Sequence, residues 1–202
     1  NSKYQQDLTT ISLEEKDQLK DRLYPLLTYL IRNTYQSGVG KIIHTLVKPF
    51  NLLSKPMDDG LASTTISPWY CNLATDELNG LAENLNHRKK IASIYAENID
   101  KKILSSQLIK NVSNSTNLRF PIFVDNRADL INFLKRHNIF ISDIWYDAPI
   151  APRRYMTQTN YSHQCPNSER ISDRILNLPT HKNTSPEDAK RISQHINLWL
   201  QQ

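Results

Sequence analysis

Only four glycines, Gly38, Gly40, Gly60 and Gly80, occur in 202 residues, roughly 2% against the ~7% of ordinary proteins. Loops that cradle a phosphate on bare backbone need several glycines close together, so a glycine-rich phosphate site is all but excluded. Gly38-Val39-Gly40-Lys41 resembles the end of such a loop. It lacks the upstream glycine, the following Ser or Thr and the preceding strand, and a turn between helices is the better reading. The fold must therefore be read from apolar periodicity.

The length suits one substantial domain, or one domain with an appendage, and allows a real core. Hydrophobic residues make up 39% and charged residues 22%, and no apolar run approaches the roughly 18 residues of a membrane span, so a soluble globular chain is expected. Basic residues number 25 and acidic residues 20, a net +5. The positive charges are scattered in short pairs such as Lys89-Lys90 and Arg153-Arg154, which argues against a nucleic-acid partner. Cys71 and Cys165 are far apart with no CxxC, so neither a disulfide framework nor a zinc site is indicated and a reducing cytoplasm is the expectation. The chain opens Asn1-Ser2-Lys3 with no apolar h-region and no initiating Met, which predicts a processed or truncated product.

Ser12-Leu13-Glu14-Glu15 has the form of a capping box, and Leu19, Leu23, Leu26, Leu27 and Leu30 follow at helical spacing, predicting a helix to about Asn33 that Pro25 bends. A second amphipathic stretch carries Val39, Ile42, Ile43, Leu46, Val47 and Phe50 on one face. Residues 56–65 read as a loop. Ser67-Pro68 then starts the longest helix, one piece or two, with Trp69, Leu73, Leu78, Leu81, Leu85, Ala92, Tyr95 and Ile99 in a near-heptad stripe. The Ser- and Asn-rich stretch 105–117 reads as a connector. Beyond it the pattern predicts a strand over 118–124, a helix over 126–137, a strand over 139–145, irregular chain over 148–164, a helix over 167–175 and a short strand over 176–178. Ser185-Pro186-Glu187-Asp188 opens the last helix. The fold class is α+β: long N-terminal helices, then a small α/β layer with a βαβ-like alternation.

Residues that bear chemistry are sparse. The six histidines show no HxxxH or HExxH pair, so no metal site is expected. No GxSxG, and no cysteine with a suitably placed histidine, marks a nucleophile. The face from Val39 to Phe50 has two open readings, packing against a helix or second subunit and lying on an anionic membrane, with packing the commoner use of such a pattern. Trp145-Tyr146-Asp147 combines aromatics with a carboxylate at a predicted strand end. It reads equally as a ligand site and as core closure with Asp147 starting a turn.

Arg119-Phe120-Pro121-Ile122-Phe123-Val124 and the helix after it, then Cys165-Pro166-Asn167-Ser168-Glu169-Arg170-Ile171 leading into Leu176-Asn177-Leu178-Pro179-Thr180-His181, resemble in order and spacing the small domain of the DegT/StrS sugar aminotransferases. Thr184-Ser185-Pro186-Glu187-Asp188-Ala189 and the final helix fit as well. Upstream, the run from Ser67 through Arg88-Lys89-Lys90-Ile91-Ala92 to Tyr95 is similar to the helix joining that family's large and small domains. The resemblance implies dimeric enzymes of the aspartate-aminotransferase fold, in which pyridoxal phosphate forms a Schiff base with a large-domain lysine and amino groups move onto nucleotide-linked keto-sugars.

The family's lysine segment, a Ser-Phe strand followed by Lys and then Gly-Gly, is absent from these residues. The resemblance thus implies a C-terminal part, not catalytic on its own, with no catalytic residue and pyridoxal phosphate held only in the parent protein. The family's Asn-Tyr-Arg-Met-Ser falls on Ser63-Thr64-Thr65-Ile66-Ser67, leaving Ser63 to meet the cofactor phosphate of a partner subunit. Its His-Tyr-Pro-x-Pro-x-His falls on Trp145 to Ala151, leaving Trp145, Tyr146 and Asp147 toward substrate. The expected organisation is a helical segment 1–60, a connecting helix 61–104 and a small α/β domain 105–202. The expected role lies in cytoplasmic synthesis of cell-surface polysaccharide or antibiotic sugars by a homodimer. The alternative is a non-catalytic dimerisation or membrane-surface module derived from that fold.

Overall fold

The computed structural model describes residues 15–35, 37–47, 49, 68–141, 146–151 and 153–202. The chain divides into two compact units, Asn1–Leu78 and Asn79–Gln202.

In the first unit, α1 (Glu15–Thr34) keeps its helical path through Pro25 and packs against α2 (Val39–Val47) as a helical hairpin. Gly38 makes the turn at φ +86, a left-handed conformation that costs glycine little. Gly40 lets the two backbones touch: a Cβ there would sit 2.3 Å from the Ile31 carbonyl oxygen and 2.7 Å from the Tyr35 nitrogen. Within the same unit α3 (Pro68–Asn79) starts against α1, where the Tyr70 hydroxyl donates to Asp21 and the Arg22 guanidinium lies 5.7 Å from the Trp69 ring centroid. The expected long helix is interrupted at Gly80, where the poor helix propensity of glycine separates α3 from α4 (Leu81–Asn98).

The second unit is built on α4. Ile91, Ala92, Tyr95 and Ala96 are buried on one side of it, whereas Leu73, Leu78 and Leu81 of the same predicted stripe are exposed. After a 3-10 turn, Lys101–Ile103, comes α5 (Ser106–Asn111), a short helix inside the stretch expected to be a connector. Leu108 packs on the core and explains why this polar segment folds.

Strand β1 (Phe120–Phe123) pairs antiparallel with β2 (Ile175–Leu178), Phe120 opposite Leu178 and Ile122 opposite Leu176. These four residues are fully buried, and the alternate positions are only half-buried, as a strand period of two requires. Between them lies α6 (Arg127–Arg136), capped by the Asn126 side chain, with Leu130, Phe133 and Leu134 inward. A 3-10 turn, Arg153–Gln158, and α7 (Pro166–Arg174) follow. The chain closes with α8 (Pro186–Trp199), whose Ser185 and Asp188 form a reciprocal capping box and whose Ala189, Ile192 and Ile196 complete the core against α4 and α6.

The second predicted strand is corrected. Ile139, Phe140 and Ile141 alternate inward, outward, inward, but they form no ladder, and residues 142–145 lie outside the described residues. The alternation is there, and among the described residues no strand pairs with it. Among the described residues the sheet is one antiparallel pair joined through α6 and α7, rather than a βαβ alternation.

Candidate functional site

Asn117 adopts φ +48, a left-handed conformation that asparagine tolerates better than most residues. Its buried amide donates to the Val112 carbonyl at 2.7 Å and to the Ser115 carbonyl at 3.0 Å, which folds the 112–117 turn onto the start of β1. Thr180, fully buried, locks the same turn from the other strand by placing its hydroxyl 2.6 Å from the Asn117 carbonyl and 3.0 Å from that of Leu118. Arg88 of α4 adds a bond to the Leu118 carbonyl at 3.0 Å and one to the Asn84 side chain at 2.7 Å. Tyr95 donates to the Pro179 carbonyl at 3.1 Å; burial, then the negative charge of Asp188, pushes its phenol well above its ordinary value, so it stays a neutral donor.

Against this frame lies a groove of about 530 Å³. Gln107 and Asn111 of α5, Ser115 and Thr116 of the turn, Arg119 before β1, Asn177 of β2 and Tyr146 line it, together with the apolar Leu108, Pro121, Phe123 and Ile175. Amides, hydroxyls and one guanidinium around a partly apolar floor suit a polyhydroxylated, anionic ligand, which is chiefly recognised by hydrogen bonds and by charge on its phosphates. Tyr146 is 44% exposed, and its carbonyl accepts from Arg127 at 3.4 Å. The same guanidinium nitrogen donates to the carbonyls of Ser172 at 2.6 Å and Ile175 at 2.9 Å, so Arg127 ties segment 146–151 to the end of α7 and the start of β2. No local sequence signal announces Arg127, because its partners Tyr146, Ser172 and Ile175 are distant in the chain; Asn117 bonds its own turn, which no turn motif marks.

The predicted site residues separate. Ser63 and Trp145 lie outside the described residues. Tyr146 reaches the groove. Asp147 instead opens the 3-10 turn that follows it: its carboxylate accepts from the Arg153 backbone N–H at 3.0 Å, and its carbonyl accepts from the Arg153 side chain.

A second polar cluster lies near the start of α7. Tyr161 donates to Glu169 Oε1 at 2.7 Å, and His163 Nδ1 lies 2.8 Å from the same oxygen. Those bonds, that of Tyr161 first, hold the Glu169 carboxyl below the usual carboxylate range; partial desolvation and then the Glu169 bond push the Tyr161 phenol up. Among the described residues no group of three His, Cys, Asp or Glu side chains could hold a metal ion, and no helix is long and apolar enough to cross a membrane.

The sequence profile of the DegT/DnrJ/EryC1/StrS aminotransferase family matches residues 63–197. The chain belongs to this family. A comparison with curated proteins gives no match. The match takes in the whole run from α3 through β1, α6, α7 and β2 nearly to the end of α8, so the groove and its frame fall inside it.

Family members generally use pyridoxal phosphate, which needs an amine shielded from water and a partner for the ring nitrogen. The described residues do not fit that attachment. Apart from the half-buried Lys89, every lysine whose side chain is described is exposed; Lys41 lies beside the Tyr35 ring and Lys102 pairs with Asp100 at 3.6 Å. What the described groove offers is binding chemistry: donors, acceptors and one positive charge held by a stiff frame.

Proposed function

We propose that this chain is the C-terminal small-domain part of a pyridoxal-phosphate-dependent aminotransferase acting on nucleotide-linked keto-sugars. In this reading the Schiff-base lysine comes from polypeptide other than these 202 residues, and the chain is not catalytic alone. Ser63 meets the cofactor phosphate of a partner subunit. The setting is cytoplasmic synthesis of cell-surface polysaccharide or antibiotic sugars. The observation that carries the reading is the polar groove beside Tyr146 and Arg119, inside the family match. Its volume is in the range of small-ligand sites, and Arg119 supplies the charge a diphosphate needs.

Titration of isotope-labelled full chain with nucleoside diphosphate sugars tests it. Saturable amide shifts at Arg119, Tyr146 and α5 are expected, with Arg119→Ala weakening them at least about fivefold. Shifts confined to other regions, or none with any nucleotide sugar, would overturn the substrate assignment. A second reading, a non-catalytic module that serves association, is favoured by the exposed apolar residues of α1 and α2 and by Ser63 and Thr65 standing where the family carries Asn and Arg.

A further inference from the structure

Arg127 opens α6 from a position that works against its charge. The N-terminal end of a helix carries partial positive charge, which favours Asp or Glu there and disfavours a guanidinium. The far end of α7 supplies the compensation. Its last-turn carbonyls need partners beyond the helix: that of Ile171 accepts from the Ile175 N–H, that of Arg174 from the Val124 N–H, and that of Ser172 from Arg127 Nη1 at 2.6 Å. Breaks of local preference of this kind concentrate at functional sites.

The same nitrogen reaches two further carbonyls, those of Ile175 at 2.9 Å and Tyr146 at 3.4 Å. Both residues line the groove, whereas Arg127 is not among its lining residues. Their dependence on Arg127 differs. Ile175 is the first residue of β2 and is paired with Phe123, so the sheet holds it in any case. Tyr146 belongs to an irregular stretch, and Arg127 joins its backbone to the end of α7. The two short bonds fix the guanidinium, and the third is the longest, so a small displacement is felt first at Tyr146.

A second arginine straps the neighbouring residue: Arg153 donates to the Asp147 carbonyl and lies 3.3 Å from the Asp173 carboxylate in the last turn of α7. The side chains of that ion pair are 57% and 70% exposed, and water and salt weaken such a pair, so the half-buried Arg127 is the stronger tie.

We propose that Arg127 is a positioning residue for the groove: by holding the Tyr146 carbonyl to the end of α7, it sets where Tyr146 stands in the groove wall and so how tightly the groove takes its ligand. The proposal rests on the groove reading given above. Arg127 acts through Tyr146 and does not touch the ligand.

A double-substitution cycle in the full chain tests it, with uridine diphosphate glucose as the probe. Arg127→Gln is expected to weaken binding at least about fivefold in the wild-type background and less than about twofold in Tyr146→Ala, where the residue it acts through is gone. Arg127→Lys keeps the charge but offers one ammonium in place of a fork, and should fall between. Arg170→Gln, which removes an exposed guanidinium from α7, should change nothing. With no ligand present, the ring and amide resonances of Tyr146 should shift in Arg127→Gln while those of Asn117 and Thr180 stay in place. Equal weakening in the two backgrounds overturns the proposal, since Arg127 then supports the fold at large. Tyr146 resonances unmoved by Arg127→Gln overturn it too, whether or not the wild type binds the probe. A wild type that binds no nucleotide sugar overturns the substrate assignment alone, and the ligand-free resonances then decide the role of Arg127. If Arg127→Gln does not fold, Arg127→Lys is read in the same way.

Discussion

Thr180 shows how much one hydroxyl does in this fold. With no solvent exposure, it reaches the carbonyls of Asn117 and Leu118 and fixes the left-handed turn that begins the groove. Thr180→Val keeps the shape and removes the donor to the buried Asn117 carbonyl, while that of Leu118 keeps Arg88, so a loss of about 1–3 kcal/mol is expected. Chemical denaturation checks it: the midpoint should fall with the slope unchanged. Residue-level bonds of this kind were hidden in the sequence. Thr180 reads there as a polar residue after a strand, and its partners lie some sixty positions upstream. Left-handed positions were hidden too: no glycine follows Gly80, and Asn117, Asn138 and His163 take up positive φ instead. Tyr146, which the sequence left open between ligand site and core closure, lines the groove. Asp147, next to it, turned to its own backbone neighbourhood, as aspartates before turns do.

At the scale of elements, starts and stops were the legible part, because their chemistry is local. Ser185 with Asp188, Asn126, and the prolines at 68, 166 and 186 all mark helix starts within a residue or two of where they form. What failed was pairing. Ile139 and Ile141 are buried and Phe140 exposed, the signature of a strand, yet a strand also needs a neighbour, which no short window contains. In α5 a polar composition concealed Leu108, which is enough to hold one helical turn and a half against the core.

The hairpin gives the sharpest test at this scale. Gly40→Ala gains roughly 0.5–1 kcal/mol of helix propensity. It also forces a methyl to within 2.3 Å of the Ile31 carbonyl and 2.7 Å of the Tyr35 nitrogen, both backbone atoms that cannot swing aside. The helices must part, at a net cost of about 1–3 kcal/mol. Amide exchange should quicken in α1 and α2 while the amides of α4 and α8 keep their protection. Unchanged exchange in α2 would show that the close approach does not exist.

At the scale of the molecule, the unit Asn79–Gln202 holds the large core, where each fully buried side chain is worth roughly 1.5–3 kcal/mol. The family match covers that unit almost to its end, and reaches back through α3. Family membership was readable from the chain because the motif order around β1, α7 and β2 follows the packing of this core. The groove was only half readable, since α5 and the 112–117 turn contribute most of its polar wall and neither carries a motif. The absence of the Lys-Gly-Gly segment from these 202 residues is a fact of the sequence itself.

On the function proposed above, this chain contributes substrate contacts to an aminotransferase but does not itself supply the cofactor's lysine. Incubation of the full chain with pyridoxal phosphate, borohydride reduction and peptide mapping measures that directly. No lysine modified in stoichiometric yield and no cofactor absorbance retained after gel filtration are expected. One lysine, Lys41 for example, trapped at one equivalent per chain would contradict it.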